Sequence, residues 1–158
     1  MNELHIYTDG AARGNPGAGG YGVVMLWGNK AKELSAGYRL TTNNRMELLA
    51  VIVALQHLTK KKIEVNVFTD SQYVVNSINK KWLDTWIKTD FKGGKKNKDL
   101  WLQYYQLAKD FTVKMHWVKG HANNAYNNRC DVLATTAADN NNLLIDAIYE
   151  NEQARTKA

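Results

Sequence analysis

Residues 46–58 read MELLAVIVALQHL, apolar almost all the way round when laid out at 3.6 residues per turn. A helix with so little polar surface must be buried against more than one layer, so this segment is expected to be the central helix of the fold. Toward the N-terminus, residues 4–9 (LHIYTD), 21–27 (YGVVMLW) and 31–39 (AKELSAGYR) read as strands. A glycine-rich loop and then a short turn at Gly28 and Asn29 join them, which predicts an antiparallel meander. Toward the C-terminus, residues 63–69 (IEVNVFT) alternate as a fourth strand and residues 113–117 (VKMHW) as a fifth, with helices over 71–79, 100–110 and 127–138. A meander followed by alternating helices and strands implies an α/β fold, a five-stranded mixed sheet flanked by helices on both faces. Residues 140–158 fall outside this pattern. Leu143, Leu144, Ile145, Ile148 and Tyr149 are able to dock on the body, and the polar end is expected to be loosely ordered.

With 158 residues, 44% of them hydrophobic, the chain has the size and apolar content of one compact domain spanning 1–158, and no repeat or linker divides it. Cys130 is the only cysteine, which excludes an internal disulfide and a thiolate-rich metal site. No basic-apolar leader or membrane-length apolar run is present, so the expectation is a cytoplasmic monomer without membrane contact. The formal charge is +6, and seven lysines against Asp84 and Asp90 place +5 of it within residues 80–98. Such a patch suits a polyanionic partner, although lysine runs are also common on solvated faces.

Asp9 and Asp70 end the first and fourth strands, each after a threonine and before a turn-forming residue. Parallel neighbours would present both carboxylates at one sheet edge; the alternative is a turn or helix-cap role. Glu47 shares its helical face with Val51, Ala54 and Leu58, so it points inward. An inward carboxylate needs a cation, unless its position near the helix start lets the helix dipole account for it. Asp131 is expected in the first turn of the last helix, where the dipole or Arg129 offers a rival explanation. Together the four form an oxygen-only set suited to Mg²⁺ or Mn²⁺, and a carboxylate cluster beside a basic, aromatic segment points to phosphodiester hydrolysis.

Four motifs then stand in order along the chain: TDGAARGNPGAGGYG at 8–22, TTNNRMELLA at 41–50, FTDSQYV at 68–74 and WVKGHANNAYNNRCDVLA at 117–134. In these the chain resembles bacterial type 1 ribonuclease H, over nearly its whole length to about residue 138. The resemblance implies that Asp9, Glu47, Asp70 and Asp131 are the metal-binding catalytic carboxylates, with two Mg²⁺ (or Mn²⁺) ions bound alongside substrate. It implies that His121 assists water activation or product departure. The implied activity is hydrolysis of the RNA strand of RNA/DNA hybrids, leaving 5′-phosphate and 3′-hydroxyl ends. Asn15, Asn43, Asn44 and Gln72 would face the hybrid's minor groove, where amide groups read 2′-hydroxyls. Thr42 is open to both helix capping and phosphate binding. Residues 80–98 resemble the family's basic protrusion, in which Trp82, Trp86, Lys88, Lys95 and Lys96 would hold the DNA strand. Departures are Ala12, Leu40, Phe91 and Asn128; none removes a catalytic group, and Arg39 stands ready to replace the phosphate-binding arginine missing at Leu40. A DNA-cutting enzyme on the same sheet and a non-catalytic hybrid-binding module are the competing readings. The GNPG loop and protrusion oppose the first, and the full set of acids opposes the second, since a pure binder gains nothing by repelling its ligand.

Overall fold

The computed structural model describes residues 3–119 and 124–157. Five strands form one sheet: β1 (Leu4–Arg13), β2 (Gly17–Trp27), β3 (Lys30–Thr41), β4 (Glu64–Thr69) and β5 (Thr112–Trp117), in the order β3-β2-β1-β4-β5. The first three pair antiparallel, and β4 and β5 add parallel to β1. This is the mixed sheet expected from a meander followed by crossovers, because parallel strands need a connecting helix long enough to return across the sheet. Helix α1 (Asn43–Gln56) makes the first crossover and packs on β1 and β2. Met46, Leu48, Ala50, Val51, Ile52 and Ala54 are all fully shielded from solvent, since α4 (Lys98–Ala108) covers the outer side of α1. That two-sided burial is why the helix carries apolar residues nearly all round. Short helices α2 (Gln72–Asn79) and α3 (Trp82–Lys88) follow β4, and α5 (Ala125–Ala138) lies on the opposite face of the sheet, against β1, β2 and β3.

Two expectations change. The glycine-rich stretch is not a long loop: β1 and β2 stay paired from Leu4↔Trp27 to Arg13↔Ala18. Glycine reads as a strand breaker, but here its missing side chain lets a helix lie directly on the sheet. A Cβ on Gly20 would collide with the Ala134 carbonyl oxygen of α5. The tail is not loose either. Leu144 N–H donates to the Gly37 carbonyl (2.8 Å) and Arg39 N–H to the Leu144 carbonyl (2.9 Å), so the chain adds a bridge to β3 before forming α6 (Ala147–Lys157). Its polar composition concealed the anchors, which are ionic.

Those anchors centre on Arg45, only 1% exposed. Its guanidinium donates to both Asp99 carboxylate oxygens (3.0 and 2.8 Å) and to Asp146 (2.9 Å), and it lies 5.2 Å from the centroid of the Tyr149 ring. Arg39 makes a bidentate pair with Glu150 (2.8 and 2.9 Å), so it is committed to the tail and does not stand free as a replacement phosphate ligand. No helix among the described residues is long and apolar enough to cross a membrane.

Arg45→Met preserves bulk but leaves Asp99 and Asp146 without their shared cation. Breaking a buried pair in this way costs about 3–5 kcal/mol. Denaturant unfolding should give an unfolding free energy lowered by that amount; a change under about 1 kcal/mol would mean that the pair behaves as an exposed one.

Candidate active site

Chain topology brings the acids together before any side chain is considered. Strands β1 and β4 run parallel with Leu4 opposite Val65 and Tyr7 opposite Phe68. The same offset continued two residues sets Asp9 opposite Asp70. Asp70 follows the carboxyl end of β4, where α/β sheets gather their ligand sites, whereas Asp9 does not end its strand as expected, because β1 runs on to Arg13 in its pairing with β2. Of the two candidates for the cap of α2 it is Ser71 that serves, its Oγ accepting from the Val74 N–H (3.1 Å), which leaves the Asp70 carboxylate out of the cap.

Glu47 arrives from α1. A Cβ on Gly10 would collide with the Glu47 backbone nitrogen, so the helix and β1 are in backbone contact at this point. Glu47 is the fifth residue of α1, beyond the free N–H groups of the first turn, which removes the helix-dipole explanation. One carboxylate oxygen each from Asp9, Glu47 and Asp70 lies within 4.8 Å of the other two. Glu47 is buried, and its Oε1 receives no hydrogen bond among the described residues. Burial, followed by the charges of Asp9 and Asp70, raises its pKa well above the usual carboxylate range. Burial first, then Asp70 and Asp131, pushes Asp9 up to about 7.

Asp131 stands beside Asp9, close enough to raise its pKa, but is itself exposed and is not part of the tight three-acid group. The alternatives for this residue also fall away. Helix α5 begins at Ala125 behind an Asn124 cap, which puts Asp131 beyond the first turn, and Arg129 is paired with Glu33 (2.7 and 2.9 Å). His121 lies outside the described residues.

A cleft of about 1030 Å³ collects much of the expected substrate surface: Asn15, Thr42 and Asn44 together with Trp82, Trp86, Lys95 and Lys96. Asn43, Gln72 and Lys88 are exposed but do not line it. Thr42 caps α1, its hydroxyl oxygen accepting from the Arg45 N–H (3.2 Å), and Asn15 Oδ1 accepts from the Asn43 N–H (3.2 Å), which ties the β1–β2 turn to the helix start. The two tryptophans differ. Trp82 is 42% exposed, whereas Trp86 packs edge-on against the buried Trp101 with ring centroids 6.0 Å apart. Lys95 reaches over Trp86, its Nζ 5.7 Å from the ring centroid, while Lys98 is held by Asp90 (2.6 Å). The sequence reading missed the contribution of α6, whose Tyr149 and Gln153 also line the cleft. Their four-residue spacing was the only signal available.

A family profile described as RNase H matches residues 1–139. The chain belongs to the RNase H family. It is 54% identical over 150 residues to the ribonuclease H of Desulforamulus reducens, covering 92% of this chain and 94% of that one. With the ribonuclease H of Lachnoclostridium phytofermentans it shares 51% identity over 158 residues, covering 94% and 99%. Among solved structures, LC9-RNase H1, described as a type 1 RNase H with the type 2 active-site motif, superposes with a TM-score of 0.77 at 29% identity, over 87% of this chain and 72% of that one. LC11-RNase H1 in complex with RNA/DNA hybrid gives a TM-score of 0.65 at 27% identity, covering 87% and 97%.

The raised pKa values carry a stability consequence in this RNase H. Asp9 holds its proton more tightly folded than unfolded, so its contribution to stability is fully present below the unfolded carboxyl value near 4 and is lost as pH rises through about 7. Thermal scans in chelator should show that decline. Asp70→Asn removes one of the repelling charges and should raise stability at neutral pH by on the order of 1 kcal/mol. A lower melting temperature for the variant at pH 7 would contradict this electrostatic account.

Proposed function

We propose that this RNase H hydrolyses the RNA strand of RNA/DNA hybrids at Asp9, Glu47, Asp70 and Asp131, leaving 5′-phosphate and 3′-hydroxyl ends. The observation that carries the reading is the buried Glu47 carboxylate oxygen without a donor among the described residues, set among two further carboxylates. That arrangement repels itself, and a hard divalent cation, Mg²⁺ or Mn²⁺, relieves both the repulsion and the missing partner; with substrate, two ions suit four acids. When bound, such an ion lowers the pKa of water and stabilises charge on the leaving 3′-oxygen.

The remaining steps rest on the chain itself. Asp9 and Asp70 are fixed by paired strands and Glu47 by a helix in backbone contact with one of them, so the donor set is built on rigid elements. Amides of Asn15, Asn43, Asn44 and Gln72 offer both donors and acceptors to 2′-hydroxyls, the group that separates RNA from DNA. Thr42 uses its oxygen as a cap acceptor yet keeps its hydroxyl proton for a phosphate. Trp82 offers an exposed ring to a sugar, and Lys95 and Lys96 supply charge for the DNA phosphates, with Lys88 adding to the field from outside the cleft. His121 supplies an imidazole that moves a proton to or from the reacting oxygens. The hybrid-bound LC11-RNase H1 supports the choice of substrate.

Cleavage of strand-labelled RNA/DNA, RNA/RNA and DNA/DNA duplexes with and without Mg²⁺ tests the proposal. Only the RNA of the hybrid should be cut, and only with metal; activity in excess chelator would overturn it. Asp70→Asn should abolish cleavage while hybrid binding persists. His121→Ala should slow turnover by roughly 10- to 10⁴-fold without loss of metal binding; an unchanged rate at every pH would remove His121 from the mechanism.

Binding to phosphates releases counterions, so neutralising Lys88, Lys95 and Lys96 together should raise the Michaelis constant and flatten the plot of log affinity against log salt, by somewhat under one unit for every phosphate no longer neutralised. Identical slopes for wild type and variant would place binding elsewhere. Trp86→Ala should lose stability as well as affinity, because Trp86 packs on Trp101.

A further inference from the structure

Along α6, Tyr149, Glu152, Gln153 and Thr156 fall at i, i+3, i+4 and i+7, one face of a helix, and all four line the same cleft as the protrusion's tryptophans and lysines. Only the first serves packing: Tyr149 is 7% exposed, seated on the Arg45 guanidinium. The others are polar and partly or fully exposed, so the stripe is not a core seam. Thr156 donates its hydroxyl to the Glu152 carbonyl (2.9 Å), whereas the Glu152 carboxylate makes no ion pair among the described residues. The helix is held firmly at its start, Asp146 on Arg45 and Glu150 on Arg39, which fixes where the stripe points.

We propose that α6 is a third wall of the substrate channel, with Gln153 in contact with the DNA strand of a bound hybrid and Glu152 setting the affinity of the cleft. This rests on the hybrid reading above. Lysines lining the cleft attract the phosphate backbone into it, and a carboxylate lining the same cleft repels that backbone, an effect that salt screens over about 10 Å at 0.1 M. Gln153 offers both a donor and an acceptor without charge, suited to a sugar or phosphate edge.

Two measurements test it. Gln153→Cys in the Asp70→Asn background, labelled with a benzophenone maleimide, should photocrosslink to the DNA strand of a hybrid and not to the RNA strand. The natural thiol does not compete, because Cys130 is fully buried and burial pushes its pKa up to about 12. Glu152→Gln should lower the Michaelis constant by roughly 3- to 10-fold at 0.1 M salt while the single-turnover rate on saturating hybrid holds. Glu64→Gln makes the same charge change at the start of β4, away from the cleft, and should leave the constant alone. A sample that binds hybrid yet gives no crosslink, or links to RNA, overturns the proposal, as do equal shifts in the two glutamate variants. If the unlabelled Asp70→Asn chain binds no hybrid, the functional reading itself falls, a result distinct from a bound hybrid without a crosslink.

Discussion

The contact between α1 and β1 at Gly10 governs the site. With no side chain on that residue, the backbone of the helix meets the backbone of the strand, and Glu47 is carried to the end of the sheet where Asp9 and Asp70 already stand. The electrostatic cost is large, since burial and two like charges each disfavour the ionised glutamate. The apolar mass of α1, shielded on both sides by the sheet and α4, supplies the stabilisation that allows it. Core and site therefore share a single helix, and the electrostatic strain at Glu47 is tolerated because of the apolar burial on either side of it.

Much of this was legible in the sequence because the signals were apolar or ordered. The all-round hydrophobicity of residues 46–58 pointed to a central helix, and the two Thr-Asp strand ends pointed to a shared edge; register between β1 and β4 then supplied the pairing. What stayed hidden depended on neighbours distant in the chain. Gly19 and Gly20 looked like a loop because the closely packed α5 that Gly20 accommodates lies more than a hundred residues away. Arg129 looked like a partner for Asp131 until β3 presented Glu33. The order of α6 was invisible because charged residues that hold a helix in place read, on their own, like solvated ones.

Arg45 shows how such an ionic anchor shapes function at a distance. One guanidinium joins α1, the start of α4 and the segment before α6, while Tyr149 covers it. The cleft beside it is thus built from chain segments that share a fastening, with the β1–β2 turn tied in through Asn15 to the first residue of α1. Rigid attachment matters for a site that must separate hybrids from other duplexes by the placement of a few amides.

The sheet's outer edge bears on how the protein behaves in concentrated solution. Strand β3 is terminal in the sheet, and an unpaired terminal strand is a template for another chain. Its first half carries Lys30, Lys32 and Glu33, charges that discourage such pairing, while its second half, around Gly37 and Arg39, is occupied by the backbone of Leu144. The C-terminal segment thus also guards against self-association: loss of residues from Leu144 onward would bare a stretch of edge with few charges of its own and favour aggregation.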